Sequence, residues 1–481
     1  QSADVTQQWL SRIESTFNEL SDQDLSTQLS TFFNSWSSLA NKPQDIGLRQ
    51  IVIQNGKSVG SFLNHLRNQL TDLQTDVNDR VGALAKDANA LAQQVADLNG
   101  TIIQSEGGAG IANGLRDQRD AVLKQLGTLV NIKTVQQENG VVDVYVGSEP
   151  LVMATENRGI TTKDASSSTQ LASAVVFKAN NGTMNIASGQ IGALSAVQSQ
   201  ISGVADNIDQ VAGSLIFELN KIHSSGQGLE SLTSTTGTNT VDDPTLPLNH
   251  LKSGLKFKPA NGSFVVHVKN KTTGLMTSSM VKVDLDGLNA NDTTLNSLVA
   301  DLSGVTGVSA SINAGKLVVT AASSDSEISF SQDSSGALAA LGMNSFFTGS
   351  TARDIGVNQS IIDQPNLLSA ARNGEKGDNQ TALAIAALET KSIAALNGNS
   401  LKDDYESIVN GVATSASSAK NSAEAATVVQ QTLQAQRESL SGVSLDEEAV
   451  NLMRQQRAYQ GAARLITVVN ELMDEMMNMV R

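Results

Sequence analysis

The side chains best suited to chemistry are few and scattered along the 481-residue chain. No pair of histidines has the H-E-x-x-H spacing or another paired spacing that binds zinc. The segment Asn55-Gly56-Lys57-Ser58 ends like a phosphate-binding loop, but position 51, where that loop requires its first glycine, is Ile51. The absence of cysteine excludes disulfides, thiolate metal sites and cysteine nucleophiles. We therefore predict solvated or structural roles for the histidines, which are His65, His223, His250 and His267.

The turn Asp284-Leu285-Asp286-Gly287 resembles the start of a calcium-binding loop. Its glycine comes too early for that motif, and no glutamate closes the loop, so we predict an ordinary turn at the end of a strand. The Asn-Gly-Thr triplets at Asn99 and Asn181 matter only in a glycosylating secretory route, for which the sequence gives no sign. The sequence thus predicts no catalytic, cofactor-binding or metal-binding residue, and no enzyme.

Charge excludes two classes of partner. The chain carries 48 acidic and 33 basic residues, a net charge of -15, which repels phosphate backbones and anionic lipid surfaces. No apolar run approaches the roughly 20 residues that cross a bilayer, and the first residues lack the features of a cleaved signal peptide. We therefore predict neither a nucleic-acid partner nor a membrane partner, and a length of 481 residues favours several domains.

Apolar periodicity predicts a long helical rod. Residues 1–40 have helical spacing until Pro43, and leucines and valines seven residues apart predict a helix from about Val59 to Ile102. With aromatic residues at only 3%, thin helical bundles are more plausible than thick globules. We assign residues 1–130 to the N-terminal part of the rod, residues 191–230 to a helix that returns to it, and residues 360–440 to its C-terminal part, with helices at 379–397 and 401–440.

Two other regions have the spacing of strands. Residues 131–190 alternate with period two around the turn signal Asn139-Gly140, which predicts a small β-rich domain. Residues 224–240 are rich in Ser, Thr and Gly and are predicted to form a linker. Residues 241–350 are predicted to form a second β-rich or α+β domain with one helix at 293–302. The predicted fold class is therefore α+β multidomain: a long helical rod or coiled-coil bundle made by both ends of the chain, with two β-rich insertions.

The last segment, residues 441–481, is predicted to be an assembly helix. Ser444 and Glu447 can form a capping box at its start. An apolar helix without a covering partner is either disordered or bound to something. We expect assembly to use the apolar residues that repeat every seven positions, namely Leu445, Leu452, Tyr459, Ile466, Met473 and Val480.

Several segments together resemble the flagellar hook-associated protein 1 family. Leu115-Arg-Asp-Gln-Arg-Asp120 resembles the signature helix of that family, and the segment from Leu25 to Pro43 resembles its L...L..FF..W..L...P pattern. A further match is the N-x-x-H-x-x-G turn, here Asn220, His223 and Gly226. The segment that starts at Ser441 resembles the C-terminal helix of flagellar axial proteins.

The resemblance implies a structural subunit that forms a ring at the junction between flagellar hook and filament. It implies contacts with copies of itself, with hook protein and with the second hook–filament junction protein. It also implies a cytoplasmic export chaperone on the C-terminal helix, and export by the flagellar type III apparatus to the extracellular flagellum. In this family the two terminal helices pair as an inner coiled-coil layer.

Two departures from the family pattern leave other functions open. The N-terminal axial helix of the family is expected to be missing from this sequence, so the C-terminal helix is expected to lack its natural cover. The resemblance to the family does not extend to residues 241–349. The alternatives are another flagellar axial protein (flagellin-like or the second junction protein), or a filament subunit whose insertion carries an adhesive or enzymatic site.

Overall fold

The computed structural model describes residues 1–18, 24–107, 110–167, 170–288, 291–375, 377–441 and 445–479. Its contacts divide the chain into two compact units, Gln1–Ala419 and Lys420–Arg481. The larger unit contains two separate hydrophobic cores, one in the helical rod and one in an insertion. Helices and small antiparallel sheets occur together, which confirms the α+β class.

Four helices begin the rod: α1 (Ser2–Asn18), α2 (Leu25–Asn41), α3 (Ile46–Glu106) and α4 (Asn113–Leu129). The predicted helix at 1–40 is thus two helices, and α2 starts where the Asp24 side chain accepts a hydrogen bond from Thr27 N at 2.8 Å. The long helix is confirmed and extends beyond the predicted ends. Its 61 residues span about 90 Å at 1.5 Å per residue.

The predicted β-rich character of residues 131–190 is confirmed. A four-stranded antiparallel sheet has the order β1 (Ile132–Gln136), β2 (Val142–Val146), β3 (Glu149–Met153) and β4 (Glu156–Asn157), and a hairpin of β5 (Ile160–Ser167) and β6 (Gln170–Phe177) follows. The turn at Asn139-Gly140 joins β1 to β2, with Gly140 in the left-handed region at φ 79°. Helix α5 (Gly189–His223) then returns along α3 and buries an apolar face from Ile191 to Leu219.

The insertion contains two three-stranded antiparallel sheets. One has the order β10-β11-β7 and the other β12-β8-β9. The elements are β7 (Ser234–Thr236), β8 (Gly262–Asn270), β9 (Met276–Val283), α6 (Leu295–Ser303), β10 (Val308–Asn313), β11 (Lys316–Ala321), β12 (Ser326–Ser331) and α7 (Ala337–Leu341). Strand β7 lies inside the predicted linker because its backbone pairs with β11, Thr235 opposite Val319.

The chain returns to the rod through short elements: β13 (Phe347–Thr348), β14 (Gly356–Val357), α8 (Gln359–Asp363) and α9 (Gln380–Ala386). The predicted helix at 379–397 is wrong beyond Ala386. Two 3₁₀ turns, Ala387–Thr390 and Ala394–Leu396, replace it, and Asn397 and Gly398 adopt positive φ. The chain turns back there because this path buries Leu388, Ile393 and Leu396 in the rod core.

Two long helices end the chain, α10 (Leu401–Ser441) and α11 (Leu445–Met479). The first part of α10 buries one side in the rod core, with Leu401, Tyr405, Ile408 and Val412 spaced by three or four residues. Both predicted helices are confirmed. The predicted capping residue Ser444 lies outside the described residues, so that prediction stays open.

Candidate functional site

The predicted assembly residues are the first part of the candidate site. Leu452 is 59% exposed, Tyr459 77%, Ile466 61% and Met473 62%, and all four lie on α11. The backbone of Leu445 begins α11, but its side chain lies outside the described residues, as does Val480. Residues seven apart are offset by only about 20° around an α-helix, so the four side chains form one stripe.

The stripe lies beside further exposed apolar side chains, above all methionines near the C-terminal end of α11. Methionine has an adaptable, polarizable side chain that packs against irregular surfaces. Acidic residues occupy the first turn of α11, where they interact favourably with the helix dipole. These further apolar residues are Val469, Leu472, Met476, Met477 and Met479.

A buried aromatic cluster holds α2 in the rod. Phe32 and Trp36 are 0% exposed, and Phe346 lies 5.7 Å from each of their ring centroids. Arg49, also buried, follows the same segment and donates from Nη2 to Pro43 O and from Nη1 to Leu368 O, each at 2.6 Å. Burial lowers the pKa of Arg49 to about 10. The L...L..FF..W..L...P pattern is therefore a packing signature.

Asn220 and His223 at the end of α5 fasten the segment that returns from the insertion. Asn220 Oδ1 accepts from Phe346 N at 2.9 Å and Phe347 N at 3.0 Å, while its Nδ2 donates to Phe347 O at 2.8 Å. The His223 ring lies 2.8 Å from Asn344 O through Nδ1, and its Nε2 accepts from Ser369 N at 3.0 Å. The N-x-x-H pair thus satisfies backbone groups far away in sequence.

The glycine that follows this pair is required by close packing. A Cβ on Gly226 would lie 2.8 Å from Thr381 and 2.9 Å from the Ser369 side chain. Two residues later, a Cβ on Gly228 would lie 2.3 Å from the backbone oxygen of Asn366. The whole turn is therefore a joint between α5 and residues 344–371.

Two arginines of the Leu115–Asp120 segment contact other elements of the fold, whereas Asp117 and Asp120 are exposed. Arg116 reaches the end of α3, where its Nε and Nη2 bind the two carboxylate oxygens of Glu106 at 2.8 and 2.7 Å. Ala112 N donates to the same carboxylate at 2.9 Å. These hydrogen bonds, chiefly the one from Arg116, lower the pKa of Glu106.

Arg119 is buried, 3% exposed, and completes a polar network around Asn99. Its Nη1 donates to Gly140 O at 2.6 Å and to Asn99 Oδ1 at 3.2 Å. Asn99 Nδ2 donates to Val142 O at 2.9 Å and to Ala154 O at 2.7 Å. The network joins α3, α4 and the β1–β2 hairpin, and Asn99 is completely buried within it.

We expect Asn99→Leu to destabilise the chain by about 1–3 kcal/mol, because Leu of similar size removes the hydrogen bonds from Asn99 to buried backbone groups and one of the two acceptors of Arg119 Nη1. Chemical denaturation followed by circular dichroism would measure the loss. Gln118→Leu is the control, because Gln118 is exposed on α4, beside the buried Arg119. Equal stabilities of wild type and Asn99→Leu would contradict the network's role.

The histidines do not form a catalytic or metal-binding group in the described part of the chain. His65 is exposed on α3, and His250 Nδ1 accepts a hydrogen bond from Lys252 N at 3.1 Å. The two ring nitrogens of His267 lie 2.7 Å from the hydroxyl oxygens of Ser278 and Ser331. Lys57 and Ser58 lie inside α3 and form no phosphate-binding loop. Among the described residues, no helix is long and apolar enough to cross a membrane.

Sequence-family comparisons find two matching families. Residues 10–239 match a family described as "Flagellar hook-associated protein FlgK helical domain". Residues 434–479, which include the whole of α11, match a family described as "Flagellar basal body rod FlgEFG protein C-terminal". The first match covers the three motifs in the rod, and the second covers the exposed stripe.

The curated relatives extend the similarity to nearly the whole chain. Flagellar hook-associated protein 1 of Escherichia coli is 24% identical over 95% of this chain and 81% of its own length. The protein of that name from Bacillus subtilis is 25% identical over 98% of this chain and 79% of its own length. The solved flagellar hook junction protein FlgK from Burkholderia pseudomallei covers 92% of this chain, with 99% of its own chain matched, a TM-score of 0.54 and 16% identity. That structure supports the fold.

Proposed function

This chain belongs to the flagellar hook-associated protein 1 family, and from that premise we propose that it is a structural subunit of the bacterial flagellum at the junction between hook and filament. The proposal rests above all on one observation: similarity to hook-associated protein 1 extends over nearly the full chain, through both the rod and α11. In this function the subunit acts by packing against its neighbours and carries out no covalent chemistry.

We propose that the exposed stripe on α11, Leu452, Tyr459, Ile466 and Met473, is the surface through which subunits assemble. These four side chains are each more than half exposed, and burying a large apolar side chain contributes roughly 1.5–3 kcal/mol. Four such side chains in every subunit of a ring give a joint with substantial cohesive energy. Leu445 and Val480 continue the heptad spacing and belong to the same proposed surface.

The partners follow from this position in the flagellum. Copies of the chain, hook protein and the second hook–filament junction protein would contact the assembled ring. Before export, a cytoplasmic chaperone with a helix-binding groove would cover the α11 stripe, because exposed apolar helices are otherwise prone to non-specific association. Export through the flagellar type III apparatus would place the subunit outside the cell.

A non-enzymatic role is part of the same proposal. The polar groups that sequence analysis singled out in the rod, Arg116, Arg119 and His223, satisfy buried or neighbouring groups and join elements of the fold. Each of them therefore has a structural role. The alternative, an insertion with an enzymatic site, would require nucleophiles and bases that converge in a pocket. The contact of His267 with Ser278 and Ser331 lies instead on a half-exposed face of a sheet, so it does not support this alternative.

Labelling the subunit in intact flagella tests the proposal. The chain has no cysteine, so Thr272→Cys, in an exposed turn of the insertion, gives one thiol for maleimide-coupled gold. We expect electron microscopy to show gold only in a band between hook and filament, with unmodified cells as the control. Gold repeated along the filament would instead indicate a flagellin-like subunit, and gold along the hook would indicate a hook protein.

A further inference from the structure

The end of strand β9 brings together three carboxylates that are separated in sequence. Ligand oxygens of Asp284, Asp286 and Asp292 all lie within 4.8 Å of one another. The Asp284–Gly287 motif contains the first two, whereas Asp292 is brought to them by the fold. The next residue, Thr293, holds Asp292 near Asp284, because Thr293 N donates to Asp284 O at 2.6 Å and Thr293 Oγ1 accepts from Asp284 N at 2.8 Å.

Asp284 has an unsatisfied acceptor at this cluster. The residue is only 9% exposed, and its Oδ1 is buried without a hydrogen-bond partner. Its other oxygen, Oδ2, accepts from Lys282 Nζ at 2.8 Å and from Asn291 Nδ2 at 3.1 Å. A buried carboxylate oxygen without a partner is costly, and a bound cation would remove that cost.

The local charge is also left unbalanced. Three carboxylates face one ammonium group, and the Lys282 side chain is 72% exposed at the edge of the cluster. One divalent cation would bring the four side chains close to neutrality.

We propose that Asp284, Asp286 and Asp292 bind a calcium ion at the end of strand β9 in the insertion. Carboxylate oxygens are hard ligands, which favour Ca²⁺ or Mg²⁺ over zinc or copper. Calcium accepts six to eight oxygen ligands in irregular geometry, whereas magnesium demands a near-ideal octahedron. An irregular turn with three carboxylates, completed by water, therefore fits calcium better.

Calcium at this position would join two elements of the insertion core. Asp284 directly follows β9, whereas Asp292 lies just before Thr294, the N-cap of α6. The ion would hold the end of the strand against the start of the helix, next to the buried residues Val283 and Leu295. It would therefore protect the backbone amides of Asp284 and Thr293 from hydrogen exchange.

Isothermal titration of the full chain with CaCl₂, after treatment with EGTA, tests the proposal. We expect one ion per chain with a Kd of about 10⁻⁴–10⁻³ M, as in extracellular calcium modules. Asp286→Asn and Asp292→Asn should each weaken binding roughly tenfold or more, because each removes a charged ligand. Asp286 is exposed, so its substitution leaves folding intact. Asp301→Asn, on the exposed side of α6, should bind like wild type.

Three outcomes would overturn the assignment. The first is the absence of binding at about 5 mM CaCl₂, well above the expected Kd. The second is unchanged affinity in both Asp286→Asn and Asp292→Asn, which would place the ion elsewhere. The third is equal affinity for MgCl₂, which would remove the preference for calcium. Because the titration uses the isolated chain, its result is independent of the position proposed for the subunit in the flagellum.

Discussion

The double substitution Leu452→Asp and Ile466→Asp should abolish incorporation of this subunit into flagella and leave the cells unable to swim. Both side chains are exposed, at 59% and 61%, so the change should leave the fold of the chain intact. In the proposed assembly the same positions are buried. Each substitution then loses roughly 1.5–3 kcal/mol of apolar burial and adds the cost of burying an unpaired carboxylate, which is several kcal/mol more.

Three measurements separate assembly from folding. Circular dichroism of the purified double variant should match wild type, a swimming assay in a strain without the native gene should show no motility, and electron microscopy should show hooks without filaments. The variant should also lose binding to the export chaperone in a pull-down, because the proposed chaperone groove covers the same stripe.

The matched control is Gln460→Asp with Asn478→Asp. It adds two negative charges to the same helix, but on the face that carries Arg464 and Glu471, because these four positions lie within about 40° of one another at 100° per residue. This control should assemble and swim. Normal swimming and chaperone binding by the Leu452→Asp/Ile466→Asp variant would contradict the proposed surface.

The long elements were predictable because their periodicity is continuous. In α3 an apolar residue recurs at three- and four-residue steps from Val59 to Ile102, and the structure buries Leu63, Leu70, Val77 and Leu84 along that stripe. Helix α11 has the same kind of signal. Such a stripe specifies a helix regardless of its partner, which explains why one kind of pattern predicts both a buried helix and an exposed one.

The contacts that fasten the fold could not be predicted in the same way. Asn220 binds the backbone of Phe346, 126 residues further along the chain, and no local pattern encodes that pairing. Asp292 lies near Asp284 because its neighbour Thr293 forms hydrogen bonds with the Asp284 backbone. The helix predicted at 379–397 failed for a related reason, since burial of Ile393 and Leu396 overrides local helix propensity there.

The family resemblance singled out polar motif residues that apolar periodicity does not reveal. Arg119 and His223 belong to motifs that resemble the family, yet the residues near them in the sequence indicate no partner for either side chain. The structure shows that both are buried and bind backbone carbonyls, Gly140 O and Asn344 O. The motifs that identify this family are therefore largely joints of the rod, and the proposed assembly residues lie elsewhere, on α11.

His223→Ala should be the most destabilising of the rod substitutions considered, by about 4 kcal/mol. It leaves Asn344 O and Ser369 N without partners, at roughly 1–3 kcal/mol each, and opens a cavity beside Trp36, whose ring centroid lies 6.3 Å from that of His223. Trp36 makes tryptophan fluorescence in urea a suitable measurement. His65→Ala, at an exposed position on α3, is the control and should unfold like wild type.

Acid should weaken the same joint even without a substitution. The Asn344 carbonyl can only accept, so the proton of neutral His223 lies on Nδ1, and Nε2 must stay unprotonated to accept from Ser369 N. Burial is the largest cause that lowers the pKa of His223, to about 4, whereas an unfolded histidine has a pKa of about 6.5. As the pH falls, the unfolded chain therefore binds the proton first. The contribution of His223 to stability is complete above about pH 6.5, decreases by up to about 1.4 kcal/mol per pH unit down to about pH 4, and is lost below that.

Comparing wild type with His223→Leu between pH 7.5 and pH 4, a range set by these two pKa values, isolates this contribution. Leucine cannot titrate, so the variant should be less stable at neutral pH, and its stability should fall less steeply on acidification. The difference between the two proteins should shrink by about 3 kcal/mol over that range, since a pKa difference of about 2.5 corresponds to this free energy. Other groups titrate in both proteins and cancel from the comparison. Parallel stability curves would mean that His223 accepts a proton in the folded rod, and that the neutral ring does not hold Ser369 as the structure indicates.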